Sequence, residues 1–185
     1  MSQINRVVIG VDKNKQSRVI HRNTDNTQQV PNVFWRSTLW AADELPVDNS
    51  IGGDRSAKVV AREPEGLGVI FRAVEIPPNP ADKEAHIKIM EGLHKDVKQK
   101  YPPTEKDMAR HPSMHRTDTL DMFVIARGEV YLVTDADETL LKQGDTAVVQ
   151  GVNHAWDNRS DQPCMVVGVM VSAAPWAAGE YPAPE

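Results

Sequence analysis

The chain has a single cysteine among 185 residues, so no internal disulfide framework organises it. Cys164 lies in the run Pro163-Cys164-Met165-Val166-Val167, where a buried strand thiol is expected rather than a nucleophile. No apolar run approaches the roughly 18 residues that a membrane helix needs. Nor is there a basic stripe interleaved with aromatics: residues 111–185 carry 4 basic and 11 acidic groups within a formal net charge of −5. A phosphate backbone is repelled by such a segment, so nucleic-acid binding is disfavoured and small molecules are the better partners. Internal repeats and low-complexity tracts are missing as well. The opening Met1-Ser2-Gln3-Ile4-Asn5-Arg6 lacks the basic-then-apolar pattern of a secretory leader, so a cytoplasmic location is expected.

What is present is an ordinary globular composition, 40% hydrophobic and 25% charged, in a chain long enough to bury one core. Residues 1–76 read as short strands with polar connections. Arg6–Val11 and Ser17–Ile20 flank the turn-like Asp12-Lys13-Asn14-Lys15 and predict a hairpin. Val33–Trp40 and Gly68–Ile76 are further strands, the second stopped by Pro77-Pro78. Between residues 81 and 100 the pattern changes, because Ile87, Met90, Leu93 and Val97 recur at spacings of three and four. One amphipathic helix is expected there, laid over a β-structure and ended by Pro102-Pro103, with His86 and His94 in solvent. After Arg110 strands return at 122–127, 130–134, 139–141, 146–150 and 165–171, joined by Gly and Asp turns. Such spacing predicts an antiparallel sandwich or barrel.

Three potential metal ligands fall where a barrel can gather them. His115, Thr117 and Asp121 share one parity, as do Thr119, Phe123 and Ile125, so on a continuous strand all face the interior. His154 follows the turn Gly151-Val152-Asn153, and an antiparallel neighbour places it opposite His115 and Asp121.

The stretch His115-Arg116-Thr117-Asp118-Thr119-Leu120-Asp121, followed by six residues to Gly128, resembles the first cupin motif. Gly144-Asp145 through Gly151-Val152-Asn153-His154, then three residues to Asn158, resembles the second. Thr117 stands where the motif's second His belongs, and the Gly144 to His154 spacing is one residue short, with Val149 in the place of the common Pro. Met114–Asp121 and Asn153–Ser160 resemble a subgroup of single-domain cupins, the cupin-domain oxidoreductases of fungal polyketide clusters and their bacterial relatives. Arg6–Gly10 and Phe71–Glu75 share that likeness.

The resemblance implies an all-β fold: a cupin double-stranded β-helix, or jelly-roll barrel, with extra N-terminal strands and one amphipathic helix. The chain is then one domain: strands over 1–76, the helix over 81–100, the motif core over 111–171 and a tail over 172–185. Carried over position by position, His115, Asp121 and His154 are the implied metal ligands. Two histidines and a carboxylate suit Fe, Zn, Mn or Ni and leave open positions for a substrate. No organic cofactor is expected. Asp121 and His154 are candidate catalytic groups, with Thr117 either holding a bound water or filling a gap. Trp156, Phe123, His111 and Trp40 are candidate substrate contacts, and an aromatic or polyketide-like compound in an apolar pocket is the expected substrate. The chemistry is oxidoreduction or a lyase or isomerase step. The alternative is a metal-free barrel that binds a small molecule without catalysis. Edge strands covered by a second copy imply a homodimer.

Overall fold

The computed structural model describes residues 4–23, 27–30, 34–56, 62–64, 66–96 and 100–176. Val33, Val97 and the tail from residue 177 onward, assigned above to a strand, the helix and a terminus, lie outside them. The first strands are β1 (Arg6–Val11), β2 (Ser17–Asn23), β3 (Thr27–Val30), β4 (Phe34–Ala42) and β5 (Val69–Ile76). Helices α1 (Lys83–Asp96) and α2 (Glu105–Arg110) follow, then β6 (Thr119–Arg127), β7 (Glu129–Thr134), β8 (Glu138–Lys142), β9 (Thr146–Gln150), β10 (His154–Asp157) and β11 (Cys164–Ser172).

Two antiparallel sheets build the barrel: six strands in the order β3-β4-β5-β11-β6-β9, and three in the order β10-β7-β8. Its core lies between them, where Ile125, Val130, Leu141, Cys164 and Val166 pack together. Each fully buried aliphatic side chain there contributes roughly 1.5 to 3 kcal/mol relative to exposure. Cys164 is a buried member of this core, and burial pushes its thiol up to about 11. On the opposite face of the larger sheet, Trp35, Leu39, Ala73 and Met165 form a second cluster capped by Ile4. This antiparallel β-barrel is the architecture that the motifs implied.

Gly128 and Gly168 are both required by close approach. Gly128 turns β6 into β7 at φ 76, and a Cβ there stands 2.9 Å from the Pro163 carbonyl oxygen. Gly168 faces Phe123 across the β11–β6 pair, and a Cβ would meet that ring at 2.3 Å, so the glycine makes room for the aromatic side chain.

The N-terminal half departs from expectation in two respects. β3 to β5 extend the barrel sheet, but β1 and β2 form a separate two-stranded sheet. Arg6 anchors this hairpin, donating from Nη1 to Asp54 at 2.8 Å and to the Leu39 carbonyl at 3.2 Å. The described residues also hold two helices rather than one. α2 begins with a capping box in which Thr104 accepts from the Asp107 amide and Asp107 accepts from the Thr104 amide. α1 presents Met90, Leu93, His86 and His94 to the barrel, while Ile87 is 38% exposed, so the inward face is rotated from the one the apolar spacing suggested.

Candidate functional site

The two motif histidines meet across an isolated antiparallel bridge. His115 N–H donates to the His154 carbonyl at 2.9 Å and His154 N–H donates back at 3.0 Å. Their rings lie 4.4 Å apart, and both line one cavity. The Nδ1 of His115 lies 2.8 Å from the Ser113 carbonyl and that of His154 lies 2.9 Å from the Val152 carbonyl. A carbonyl oxygen only accepts, so each Nδ1 carries the proton and each Nε2 keeps its lone pair. Burial holds His154 down to about 4 and His115 well below the ordinary histidine value, so both rings are neutral at pH 7.

Asp121 enters the same cavity from the larger sheet, paired with Met170 on one side and Val149 on the other. It is 2% exposed, and burial raises its carboxyl to about 6 against a hydrogen bond from Thr119. Its Oδ1 is buried with no hydrogen-bond partner. Thr117 and Thr119 lie on the parity read from the sequence, their hydroxyls 2.6 Å apart. Thr119 has one proton and gives it to Asp121, so Thr117 donates to Thr119. Thr117 therefore acts two hydrogen bonds away from the cavity, which it does not line, rather than touching a ligand.

The cavity measures about 170 Å³. Phe123 and Trp156 line it with rings 5.5 Å apart in an edge-to-face arrangement, and Trp156 lies 6.2 Å from the His154 ring. Trp40 and His111 do not line it. A register shift between Thr38 and Trp40 reverses the strand's parity, so Trp40 pairs with Phe71 on the face away from Arg36 and Arg72. His111 is held elsewhere: its Nδ1 accepts from the Ser113 amide at 3.1 Å, and its Nε2 stands 3.6 Å from Asp157.

Several lining residues went unread in the sequence. Arg36, Arg62 and Arg72 make the cavity partly cationic where an apolar pocket was expected. Arg72 carried a signal, since it shares the parity of Ile70, Val74 and Ile76, an otherwise apolar face of its strand; Arg62, in a loop, carried none. His86 and His94, expected in solvent, also line the cavity, and His94 Nε2 lies 2.9 Å from the Pro112 carbonyl.

The donor chemistry of the histidine pair fits a divalent ion. Two neutral imidazoles offer Nε2 lone pairs, each oriented by a backbone carbonyl behind it, as metal-bound histidines are. Asp121 shares the cavity, yet among the described residues no three His, Cys, Asp or Glu side chains stand close enough together to hold an ion. As placed, the histidines are brought together and the carboxylate is not gathered with them. The same groups without a metal form an acid–base set, with a carboxyl titrating at about 6 beside neutral histidines.

Part of the chain matches known proteins. A family described as the cupin domain matches residues 97–171. Phomopsin biosynthesis cluster protein C' of Diaporthe leptostromiformis is 52% identical over 48 residues, 25% of this chain and 25% of that protein. Oryzines biosynthesis cluster protein J of Aspergillus oryzae is 46% identical over 50 residues, 26% of this chain and 28% of that one. These matches span about a quarter of the length of the curated relatives. Among solved structures, the Cnp3 cupin domain of Schizosaccharomyces pombe is 14% identical with a TM-score of 0.46, covering 93% of this chain and 88% of that chain. The DMSP lyase of Ruegeria pomeroyi is 16% identical with a TM-score of 0.36, over 59% and 41%. Among the described residues no helix is long and apolar enough to cross a membrane. The stretch that matches the cupin domain, residues 97–171, contains both His115 and His154.

Proposed function

We propose that the cavity is the active site of a small-molecule enzyme, with a divalent metal carried by Nε2 of His115 and His154 and with Asp121 as the carboxylate of the set. The observation that carries this reading is the pair of Nδ1 to carbonyl hydrogen bonds, which leave two lone pairs in one cavity. A bound ion of this kind supplies Lewis-acid polarisation of a substrate oxygen and, if redox-active, electron transfer for oxidoreduction. The chain's own groups do the rest. Phe123 and Trp156 hold a flat or apolar skeleton, and the Thr117 to Thr119 chain orients the Asp121 carboxylate. Metal analysis of the purified protein after incubation with Fe, Zn, Mn or Ni tests this reading. About one ion per chain is expected, and His154→Ala is expected to lose it. A wild-type chain that takes up no ion would sink it.

The separation of Asp121 from the histidine pair favours a second reading, metal-free acid–base chemistry of the lyase or isomerase type. Asp121→Asn separates the two when turnover is measured in the presence of a chelator: activity that survives the chelator but not the substitution belongs to the second reading.

We infer a homodimer from the exposed hairpin. Val7, Ile9 and Val11 alternate outward on β1, and Val19 lies opposite Ile9; all four are over 40% exposed. A two-stranded sheet is marginal alone, and a second copy covering this apolar row stabilises both.

A further inference from the structure

The cavity holds more positive charge than the histidine and aspartate set requires. Arg36 from β4, Arg72 from β5 and Arg62 from the loop between these strands all line it, whereas among the described residues Asp121 is the one acidic member of the lining. His86 and His94 also line it, and burial lowers both. Glu63, next to Arg62, accepts from the Asp118 amide at 3.0 Å and acts electrostatically on both Arg62 and Asp121, which leaves three guanidinium groups against two carboxylates.

The arginines form a built cluster. Arg72 is 5% exposed and donates from Nη1 to the Arg62 carbonyl at 3.0 Å, which fixes the loop that carries the next guanidinium. Nη1 of Arg62 is buried without a hydrogen-bond partner. Burial and mutual repulsion hold Arg62 down to about 10 and Arg72 to about 9, with Arg36 acting on both. Like charges in a poorly solvated space repel strongly, and planar guanidinium groups are the side chains best matched to oxyanions. The other walls are apolar: Phe123, Trp156, Met90 and Leu93.

We propose that this cavity binds a small organic oxyanion, its carboxylate or phosphate taken by Arg36, Arg62 and Arg72 and its carbon skeleton lying against Phe123 and Trp156. The proposal rests on reading the cavity as a small-molecule site, and it does not depend on a metal. It narrows the aromatic or polyketide-like substrate to an acidic one, oriented so that its charged end lies at the arginines.

Calorimetric titration with 3-phenylpropanoate, phenyl phosphate and the neutral 3-phenylpropanamide tests it, in low salt and in the presence of a chelator. At least one anion is expected to bind tenfold or more tightly than the amide, and whichever of the two leads identifies the oxyanion as carboxylate or phosphate. Arg62→Gln and Arg36→Gln are each expected to weaken the anion at least tenfold and leave the amide unchanged, with circular dichroism confirming the fold. Two variants are used so that one failing to fold leaves the other to decide. Equal binding of acid and amide, or anion affinity unchanged in the folded arginine variants, overturns the proposal. His154→Ala is expected to keep the anion preference, so a failed metal reading and a failed oxyanion reading give different results.

Discussion

Thr117 donates its hydroxyl proton to Thr119, 2.6 Å away, and Thr119 in turn donates to Asp121. The residue that stands where the motif's second histidine belongs therefore reaches the site through two hydrogen bonds. Thr117→Val removes the donor that sets the Thr119 rotor, and the partners behind metal ligands are typically worth tenfold to a hundredfold in affinity. The expected result is metal affinity at least about tenfold weaker by chelator competition, restored by Thr117→Ser. Equal affinity in Thr117→Val would assign Thr117 to packing alone.

Acid sensitivity should trace to Asp157. Burial alone pushes this carboxyl up, but contacts from His111, Asn79 and Arg159 outweigh it and hold the group below the usual carboxylate range. Arg159 Nε donates to Asp157 at 2.7 Å, and Asn79 Nδ2 donates to its other oxygen. A carboxylate depressed in the folded state contributes stability that is complete above its ordinary value, about 4, and is lost as pH falls below that. Asp157→Asn is expected to cost about 2 kcal/mol at pH 7 and to flatten the dependence of stability on pH below 4. Urea unfolding across pH 2.5 to 7 reads both; parallel curves for the two proteins would remove Asp157 from the account.

Gly168→Ala is expected to destabilise the barrel by about 1 to 3 kcal/mol, because the added methyl meets the Phe123 ring and the Met122 carbonyl oxygen. Since Phe123 lines the cavity, ligand affinity should fall together with the melting temperature. A melting temperature within one degree of wild type would show that the ring moves aside freely.

Ile9→Asp places a charge in the exposed hairpin row while leaving the Arg6 anchor intact. Sedimentation velocity should show a dimer for wild type and a monomer for the variant. A wild-type monomer at micromolar concentration defeats the homodimer.

Much of the barrel was legible because period-two alternation and Gly or Asp turns are local. The strands at 6–11, 69–76, 119–127 and 164–172 fall close to where the pattern placed them. β10 was unmarked, since four residues hold too few alternations to register, yet it carries His154. α2 had a signal that went unused, the capping-box spacing from Thr104 to Asp107. Trp40 lies on the other face because aromatic type alone does not say which side of a strand a residue takes, and the shift after Thr38 leaves no mark in composition. The arginines were missed for a different reason. Motif spacing locates ligands within one stretch of chain, whereas Arg36, Arg62 and Arg72 arrive at the cavity through strand pairing across the fold.

The order of the larger sheet bears on how the chain can be trimmed. β11 lies between β5 and β6 and pairs with β5 along eight positions, from Cys164–Ile76 to Val171–Val69. The segment that matches the cupin domain starts at residue 97, after β5 has ended. Cut there, β11 would become an open edge with the sequence Cys-Met-Val-Val-Gly-Val-Met-Val-Ser, long, apolar, uncharged and free of proline. Such edges recruit other strands, so the stretch that defines the family by sequence is expected to aggregate when produced alone. The smallest unit that stays dispersed in water must reach back at least to Val69, and it then carries Arg72 with it.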